Sequence, residues 1–210
     1  VKKFALDGTK SDYAPKLFET KYTSMKFGPD GVLYASWNVR ALAQVPGNMA
    51  NPILWVQFPQ GTKIYSFDFD AQGNIWAGGE NSQIYRVKPD KSVKSFPLNA
   101  NIRSVRVFNN FVYFTGTMLA DSLEKVVRYR IISADSLGPQ EVVFDLRSSG
   151  LASSGVSLLA MNFSANGNLF IGTNLSDPVI VVQSGGTAQT FYPGLLAPSV
   201  HLLVWGKGTE

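Results

Sequence analysis

Residues Ser66–Val87 read SFDFDAQGNIWAGGENSQIYRV, and this stretch decides the fold. An alternating apolar segment leads into the turn Ala71–Asn74, and a second short strand, Ile75–Ala77, leaves it. After a short polar break, a third strand is predicted at Ile84–Val87. Alternating strands around a glycine-containing turn are typical of an antiparallel meander, because glycine accepts positive φ without steric cost.

The same unit recurs along the chain. Its aromatic anchors are Tyr34, Trp76, Tyr113 and Phe170, which lie 42, 37 and 57 residues apart. The first two spacings fit a propeller blade of about 40–50 residues. We assign the longer third spacing to an insertion over Ser133–Gly155. The repeats predict inner strands near residues 25–37, 67–78, 105–116 and 161–172.

Further strands after each hairpin predict an all-β fold, a β-propeller of four-stranded antiparallel blades. Weak helical patterns at Arg40–Val45 and Leu119–Lys125 predict single helical turns, which leaves a long loop over Trp37–Asn51. We expect this loop and the insertion to carry specificity, because long loops are often functional.

The two ends of the chain predict parts of one more blade. Lys2–Leu6 and Lys16–Glu19 are expected to form outer strands, and residues 199–206 an inner strand with its turn. We therefore expect about five blades in a single propeller domain over residues 1–210. Either the termini close the fifth blade together, or the chain is part of a larger propeller.

Composition narrows the function classes. Apolar residues make up 45% of the chain and charged residues 16%, which excludes a largely disordered protein. The chain contains no cysteine, so disulfides, thiol nucleophiles and cysteine zinc sites are excluded. The net charge of +4 is spread out, so no nucleic-acid partner is expected.

No apolar run reaches the ~18 residues of a transmembrane segment. Lack of cysteine suits an oxidising compartment, and we expect a periplasmic or extracellular location.

The pattern D-x-x-G-N-[IL]-[WF]-x-G occurs at Asp70–Gly78 and, less fully, at Ser164–Gly172. It resembles the propeller repeats of periplasmic two-component sensors, and it is also similar to NHL-type and gluconolactonase-type propellers. The resemblance implies the propeller fold over most of the chain. It does not select a function, because such propellers include both binding modules and enzymes.

The resemblance also implies specific chemistry. Streptogramin lyases are similar propellers that use histidines in catalysis, and the single histidine of this chain, His201, argues against that activity. Gluconolactonase-like enzymes hold a divalent metal in the channel through Glu, Asn and Asp side chains. The matching candidates here are Glu80, Asn174 and Asp177, with Ca²⁺ or another divalent ion as cofactor. Ordinary turn chemistry is the competing interpretation of all three residues.

Loops on one face of a propeller surround its channel and often carry ligands. Trp37, Asn38 and Arg40 could stack on a sugar or base and hydrogen-bond its rim, unless Trp37 packs between blades. Arg103 lies in a loop that enters an inner strand. His201 could serve as a channel base, or it could be a hydrogen-bonded structural histidine.

Asp30 and Asp70 resemble an acidic pair at equivalent repeat positions, although each could instead cap its own turn. No G-x-S-x-G elbow and no phosphate loop of the Walker type is present. The sequence thus favours a non-catalytic module without a cofactor, which binds a protein, glycan or small molecule on its loop face. The alternatives are a metal-dependent hydrolase or lactonase and a structural assembly module.

Overall fold

A computed structural model describes residues 1–5, 7–15, 21–47, 49–80, 82–151 and 155–204. These residues form five antiparallel sheets, four with four strands and one with two. No helix in these ranges has the length and apolarity needed to cross a membrane. The prediction of an all-β propeller built from four-stranded blades is confirmed.

The strands follow chain order. A two-stranded sheet contains β1 (Lys2–Phe4) and β2 (Lys10–Asp12). Blade 1 contains β3 (Tyr22–Phe27), β4 (Leu33–Trp37), β5 (Ala41–Val45) and β6 (Ile53–Gln57). Blade 2 contains β7 (Ser66–Phe69), β8 (Ile75–Gly78), β9 (Gln83–Val87) and β10 (Val93–Pro97). Blade 3 contains β11 (Ala100–Phe108), β12 (Phe111–Met118), β13 (Leu123–Ser133) and β14 (Ser136–Asp145). Blade 4 contains β15 (Leu158–Phe163), β16 (Leu169–Thr173), β17 (Val179–Val182) and β18 (Ala188–Thr190).

The apolar core lies between neighbouring blades. Phe67 of blade 2 is fully buried in a cluster that includes Leu42 of blade 1. Trp76 of blade 2 packs in a second cluster with Phe114 of blade 3, and Met161 of blade 4 belongs to a third cluster shared with blade 3. Burial of side chains from two sheets at each junction stabilises the order of the blades.

Blade 1 departs from the sequence prediction. Residues Ala41–Val45, predicted as a helical turn inside a long loop, form β5 and pair with both β4 and β6. Leu42, Ala43 and Val45 are completely buried there. Pairing and burial outweigh the local helix propensity of alanine and leucine. The predicted turn at Leu119–Lys125 is likewise wrong from Leu123 onward, where β13 begins.

The predicted insertion is mainly a long hairpin. Residues Ser133 and Ser136 close the β13–β14 turn, and β14 continues to Asp145. The extra sequence therefore lengthens the outer strands of blade 3 to 11 and 10 residues. Residues 152–154 lie outside the described ranges.

The tip of this hairpin contacts blade 2. Arg86, which is 2% exposed, donates through Nε to the Ala134 carbonyl at 2.5 Å and forms an ion pair with Asp135. Lys88 lies 3.0 Å from the same carboxylate, and Lys94 donates to the Asp135 carbonyl at 2.8 Å. A buried guanidinium needs such partners, because an unpaired buried charge destabilises the fold.

We expect Asp135→Asn to lower the unfolding midpoint slightly at neutral pH. The hydrogen bond from Lys88, with the positive charges of Arg86, Lys88 and Lys94, lowers the pKa of Asp135. The carboxylate therefore stabilises the fold above its unfolded pKa of about 3.9, and this contribution is lost as pH falls through the lower folded pKa. Thermal unfolding of both proteins across this range should show the difference vanish in acid. Equal midpoints at pH 7 would contradict it.

The N-terminal sheet differs from the expected outer strands. β1 pairs with β2 at Lys10–Asp12. Residues 6 and 16–20 lie outside the described ranges, so the second predicted strand is not described.

The C-terminal segment occupies the entry position of a fifth inner strand without forming one. Val200 N donates to the Thr173 carbonyl at 2.9 Å, as Ile64 N donates to the Val39 carbonyl at 2.7 Å where the chain passes from blade 1 to blade 2. Residues 199–204 nevertheless form no strand, because no described strand pairs with them along their length. The prediction of an inner strand is wrong for residues 199–204, and residues 205–206 lie outside the described ranges.

Candidate functional site

The inner strands β3, β7, β11 and β15 surround a central cavity of about 460 Å³. One residue on each strand is the cross-strand partner of the aromatic anchor of its blade. We call these four residues the channel ring: Lys26, Asp68, Arg106 and Asn162. Two positions earlier on the same strands lies a second layer: Ser24, Ser66, Ser104 and Ala160. All of them line the cavity except Asp68, which is buried in its wall.

Asp68 joins three blades. Its carboxylate forms an ion pair with Lys26 of blade 1 and accepts a hydrogen bond from Val107 N of blade 3 at 3.0 Å. It also accepts the backbone N–H of Phe69 at 2.7 Å. The side chain is 3% exposed, so these contacts satisfy a charge that water barely reaches. The charges of Asp68 and Lys26 therefore balance each other.

Arg106 is different. Its only hydrogen bond among the described residues runs from Nη1 to the Val105 carbonyl at 2.7 Å, and it forms no ion pair with any of them. Burial lowers the pKa of the guanidinium from its usual value, and the negative charge of Asp68 opposes this shift. The group stays protonated at neutral pH, because arginine is a very strong base. The cavity wall thus carries a positive charge without a contacting anion.

Arg103, predicted in a loop, lies inside strand β11 and also lines the cavity. Its Nη1 lies 2.7 Å from Glu124 Oε2, and its Nη2 donates to Thr117 at 2.9 Å. Glu124 Oε2 also accepts Leu158 N of blade 4 at 2.8 Å. The pair therefore holds blades 3 and 4 together, and the charge of Arg103 is matched.

Two more side chains that can exchange protons line the cavity. His201 reaches it from the C-terminal segment and is exposed. Tyr22 has a buried hydroxyl without a hydrogen-bond partner in the described part of the chain, and burial raises its pKa. A bound ligand or water could supply the partner of such a hydroxyl.

Trp37, Asn38 and Arg40 do not join this cavity. They lie in the tight turn between β4 and β5, where Arg40 N donates to the Trp37 carbonyl at 3.1 Å. The Asn38 side chain accepts Lys21 N at 2.8 Å, and Asn38 N donates to the Lys21 carbonyl at 2.9 Å. Asn38 is thus occupied in a turn, while Trp37 is half-buried and Arg40 exposed.

Each of the proposed metal ligands is engaged in hydrogen bonds of its own, with different partners. Glu80 accepts the Tyr65 hydroxyl at 2.7 Å and pairs with Lys63, and the bond from Lys63 does most to lower its pKa. Asn174 accepts Ser157 N at 2.7 Å, and Asp177 accepts Gly194 N at 2.6 Å.

These residues do not fit a divalent metal. Glu80 belongs to blade 2, whereas Asn174 and Asp177 belong to the β16–β17 loop of blade 4. No group of three histidine or acidic side chains with metal-binding geometry occurs within the described ranges. The channel itself presents Lys26 and Arg106, which repel a cation.

Asp30 and Asp70 each cap a turn. Asp30 accepts Val32 N at 3.1 Å and the Tyr34 hydroxyl at 2.9 Å. Asp70 accepts Asn74 N at 2.8 Å and Trp76 Nε1 at 2.9 Å. They are not an acidic pair at equivalent positions, because the 42-residue repeat makes Gln72, and not Asp70, the equivalent of Asp30.

The sequence interpretation missed most of the channel residues. The repeat alignment contained a usable signal, because Lys26, Asp68, Arg106 and Asn162 all occupy the second position of their aligned segments. An antiparallel hairpin places that position opposite the aromatic anchor. Four polar residues at the same inward position of the four inner strands would have indicated the channel.

Comparisons with known proteins support the fold. No family model and no curated protein sequence matches the chain. A catalytically inactive virginiamycin B lyase from Staphylococcus aureus with quinupristin matches over 90% of this chain, at a TM-score of 0.67 and 15% identity. A gluconolactonase from Xanthomonas campestris matches over 92%, at 0.69 and 14%. A structure of a nidogen/laminin complex matches over 77%, at 0.58 and 10%.

The chain spans only part of these proteins: 61% of the lyase, 69% of the gluconolactonase and 59% of the chain in the nidogen/laminin complex. Identities this low establish the fold alone. The neighbours are consistent with the predicted resemblance to gluconolactonase-type propellers, while the resemblance to sensor and NHL repeats stays a prediction. The chain is a set of β-propeller blades with a polar central channel, similar in fold to gluconolactonase and virginiamycin B lyase.

Proposed function

We propose that this chain forms the channel of a β-propeller that binds a small polar molecule on its axis. The observation that carries the proposal is the convergence of Ser24, Ser66, Ser104, Lys26 and Arg106 on one cavity. Its volume of about 460 Å³ lies within the range typical of small-molecule sites. Hydroxyls and cations on rigid strands can fix the orientation of such a ligand.

Hydrolysis of a lactone is the activity we propose for this channel. The fold likeness to a gluconolactonase and to virginiamycin B lyase supports an enzyme of this kind more than a module without chemistry. The step adds water to the ester carbonyl, and the ring oxygen leaves as a hydroxyl to give a hydroxy acid. His201 lines the cavity, and an imidazole there could take a proton from the attacking water. The proposed step uses no metal, because the candidate ligands Glu80, Asn174 and Asp177 do not lie together in one site.

A module without catalysis is the second candidate. The contacts of Asp68 favour this candidate. Its carboxylate binds Lys26 and two backbone N–H groups, so it has little capacity to act as a base. The likeness to a chain in a nidogen/laminin complex is compatible with such a role. Here the ligand would be recognised in the channel, and not at the Trp37–Arg40 turn.

A hydrolysis assay separates the two candidates. Acid release from D-glucono-1,5-lactone above the spontaneous rate, insensitive to a chelator, is expected for the full chain. Ser24→Phe should abolish it, because the larger side chain fills the cavity. Thr190→Phe on the outermost strand β18 serves as the size-matched control. If the chain only matches the spontaneous rate but still binds the lactone or its acid, hydrolysis is wrong and the binding module stands.

A further inference from the structure

The charges around the channel do not cancel. Lys26 pairs with Asp68, and Arg103 pairs with Glu124. The remaining charged residue of the wall is Arg106, which has no ion-pair partner among the described residues. None of the described residues that line the cavity carries a carboxylate, and His201 is counted as neutral at pH 7. Among the described residues, the cavity therefore has one uncompensated positive charge.

The groups next to that charge can donate hydrogen bonds. Ser66 Oγ accepts Val105 N at 3.0 Å, which leaves its hydroxyl hydrogen free to point into the cavity. Ser24 and Ser104 lie at the same level on β3 and β11. Asn162 contributes less, because its amide already donates to the Leu203 carbonyl at 3.1 Å and accepts Phe163 N at 2.9 Å. Donors around a single cation match an anion that also carries hydroxyl groups.

From this arrangement we propose that the channel is a binding site for a small hydroxy-carboxylate, with the carboxylate on Arg106 and the hydroxyls on Ser24, Ser66 and Ser104. One unmatched charge selects a monoanion, and a planar guanidinium matches a carboxylate in two parallel hydrogen bonds. The inference rests on the proposed function, because it names the ligand class of the same cavity.

A carboxylate site in the channel has a consequence for lactone hydrolysis. A lactone is neutral, whereas the acid formed by adding water to it loses a proton to solvent and becomes a monoanion. The channel therefore holds the ring-opened acid more tightly than the lactone. We expect the hydroxy acid to accumulate on the protein and to inhibit any turnover.

Isothermal titration calorimetry of the full chain with D-gluconate and D-glucitol tests the charge directly, because the two probes share a six-carbon polyol and differ in the carboxylate. Gluconate should bind at least about tenfold more tightly than glucitol, as expected for a charge-assisted hydrogen bond. Arg106→Gln should lose about tenfold to a hundredfold in gluconate affinity, and Arg106→Lys should retain part of it. Arg130→Gln, an exposed change of equal charge in the same blade, should leave the affinity unchanged.

Asp68→Asn provides a test of opposite sign. Removal of the carboxylate frees Lys26 beside Arg106, so gluconate affinity should rise about threefold to tenfold. A purely structural role for Asp68 predicts no gain in affinity. Thermal unfolding of each variant verifies that it is folded before titration.

The outcomes separate the two proposals. If gluconate and glucitol bind equally, or if Arg106→Gln binds gluconate as the parent does, the carboxylate site is wrong while a small-molecule channel stands. If neither probe nor the lactone binds the parent chain, both proposals fail. The small-molecule channel and the carboxylate site are both supported if gluconate binds selectively, Arg106→Gln weakens its binding and Asp68→Asn strengthens it.

Discussion

Replacing Asp70 by alanine is expected to lower the free energy of unfolding by about 3–4 kcal/mol. The carboxylate is 6% exposed and accepts Asn74 N at 2.8 Å, the Asn74 side-chain amide at 2.9 Å and Trp76 Nε1 at 2.9 Å. Alanine leaves these donors without their acceptor, and Trp76 is completely buried, so water cannot replace it readily.

Thermal unfolding measures this effect. For a domain of this size the loss corresponds to a fall of about 10 °C in the midpoint. Asp90→Ala is the matched control, because Asp90 lies in the turn between β9 and β10, accepts a hydrogen bond from Ser92 N and lies at the surface. Its midpoint should stay close to that of the parent chain. A midpoint for Asp70→Ala as high as that of the control would show that the turn does not depend on the carboxylate.

Gly79→Ala is expected to destabilise the chain by about 3 kcal/mol or more. A Cβ at this position would lie 1.8 Å from the Lys63 carbonyl oxygen and 3.1 Å from Ile64 Cα. Both are backbone atoms, so no side-chain rotation can relieve the overlap. The Gly79 carbonyl also accepts Ile102 N of blade 3 at 2.9 Å, so a shift of Gly79 disturbs the next blade as well.

Urea denaturation of Gly79→Ala and of Gly185→Ala compares a crowded with an open glycine. No atom outside its chain neighbours lies within 4 Å of a Cβ built at Gly185, so alanine there should be tolerated. A lower denaturation midpoint is expected for Gly79→Ala alone. Equal midpoints for both variants would mean that the strand entries to the channel are less tightly packed than the structure indicates.

The blade repeat could be predicted because its signal is local. Gly73 has φ of 81°, and Asp70 and Asn74 bond within the same turn, so this stretch specifies its own hairpin. β5 could not be predicted in the same way. Its sequence, Ala41–Val45, favours a helix locally, and only pairing with β4 and β6 makes it a strand.

The candidate site was harder to predict than the fold. Arg103 and His201, which were predicted as loop-face residues, both line the cavity, and their role in ligand binding stays a prediction. The charge state of the channel depends on long-range contacts, such as that between Leu158 N and Glu124, which no local pattern reveals. Conversely, Trp37 and Arg40 have the composition of a ligand site, but the tight turn between β4 and β5 places them away from the cavity.

Amide chemical-shift mapping of the labelled chain with D-gluconate tests most directly whether the ligand site is the channel. We expect the largest shifts on the inner strands, at Ser66, Ser104 and Arg106, with little change in the Trp37–Arg40 turn. Saturable shifts confined to that turn, or none on the inner strands at saturating gluconate, would contradict a channel site for this ligand.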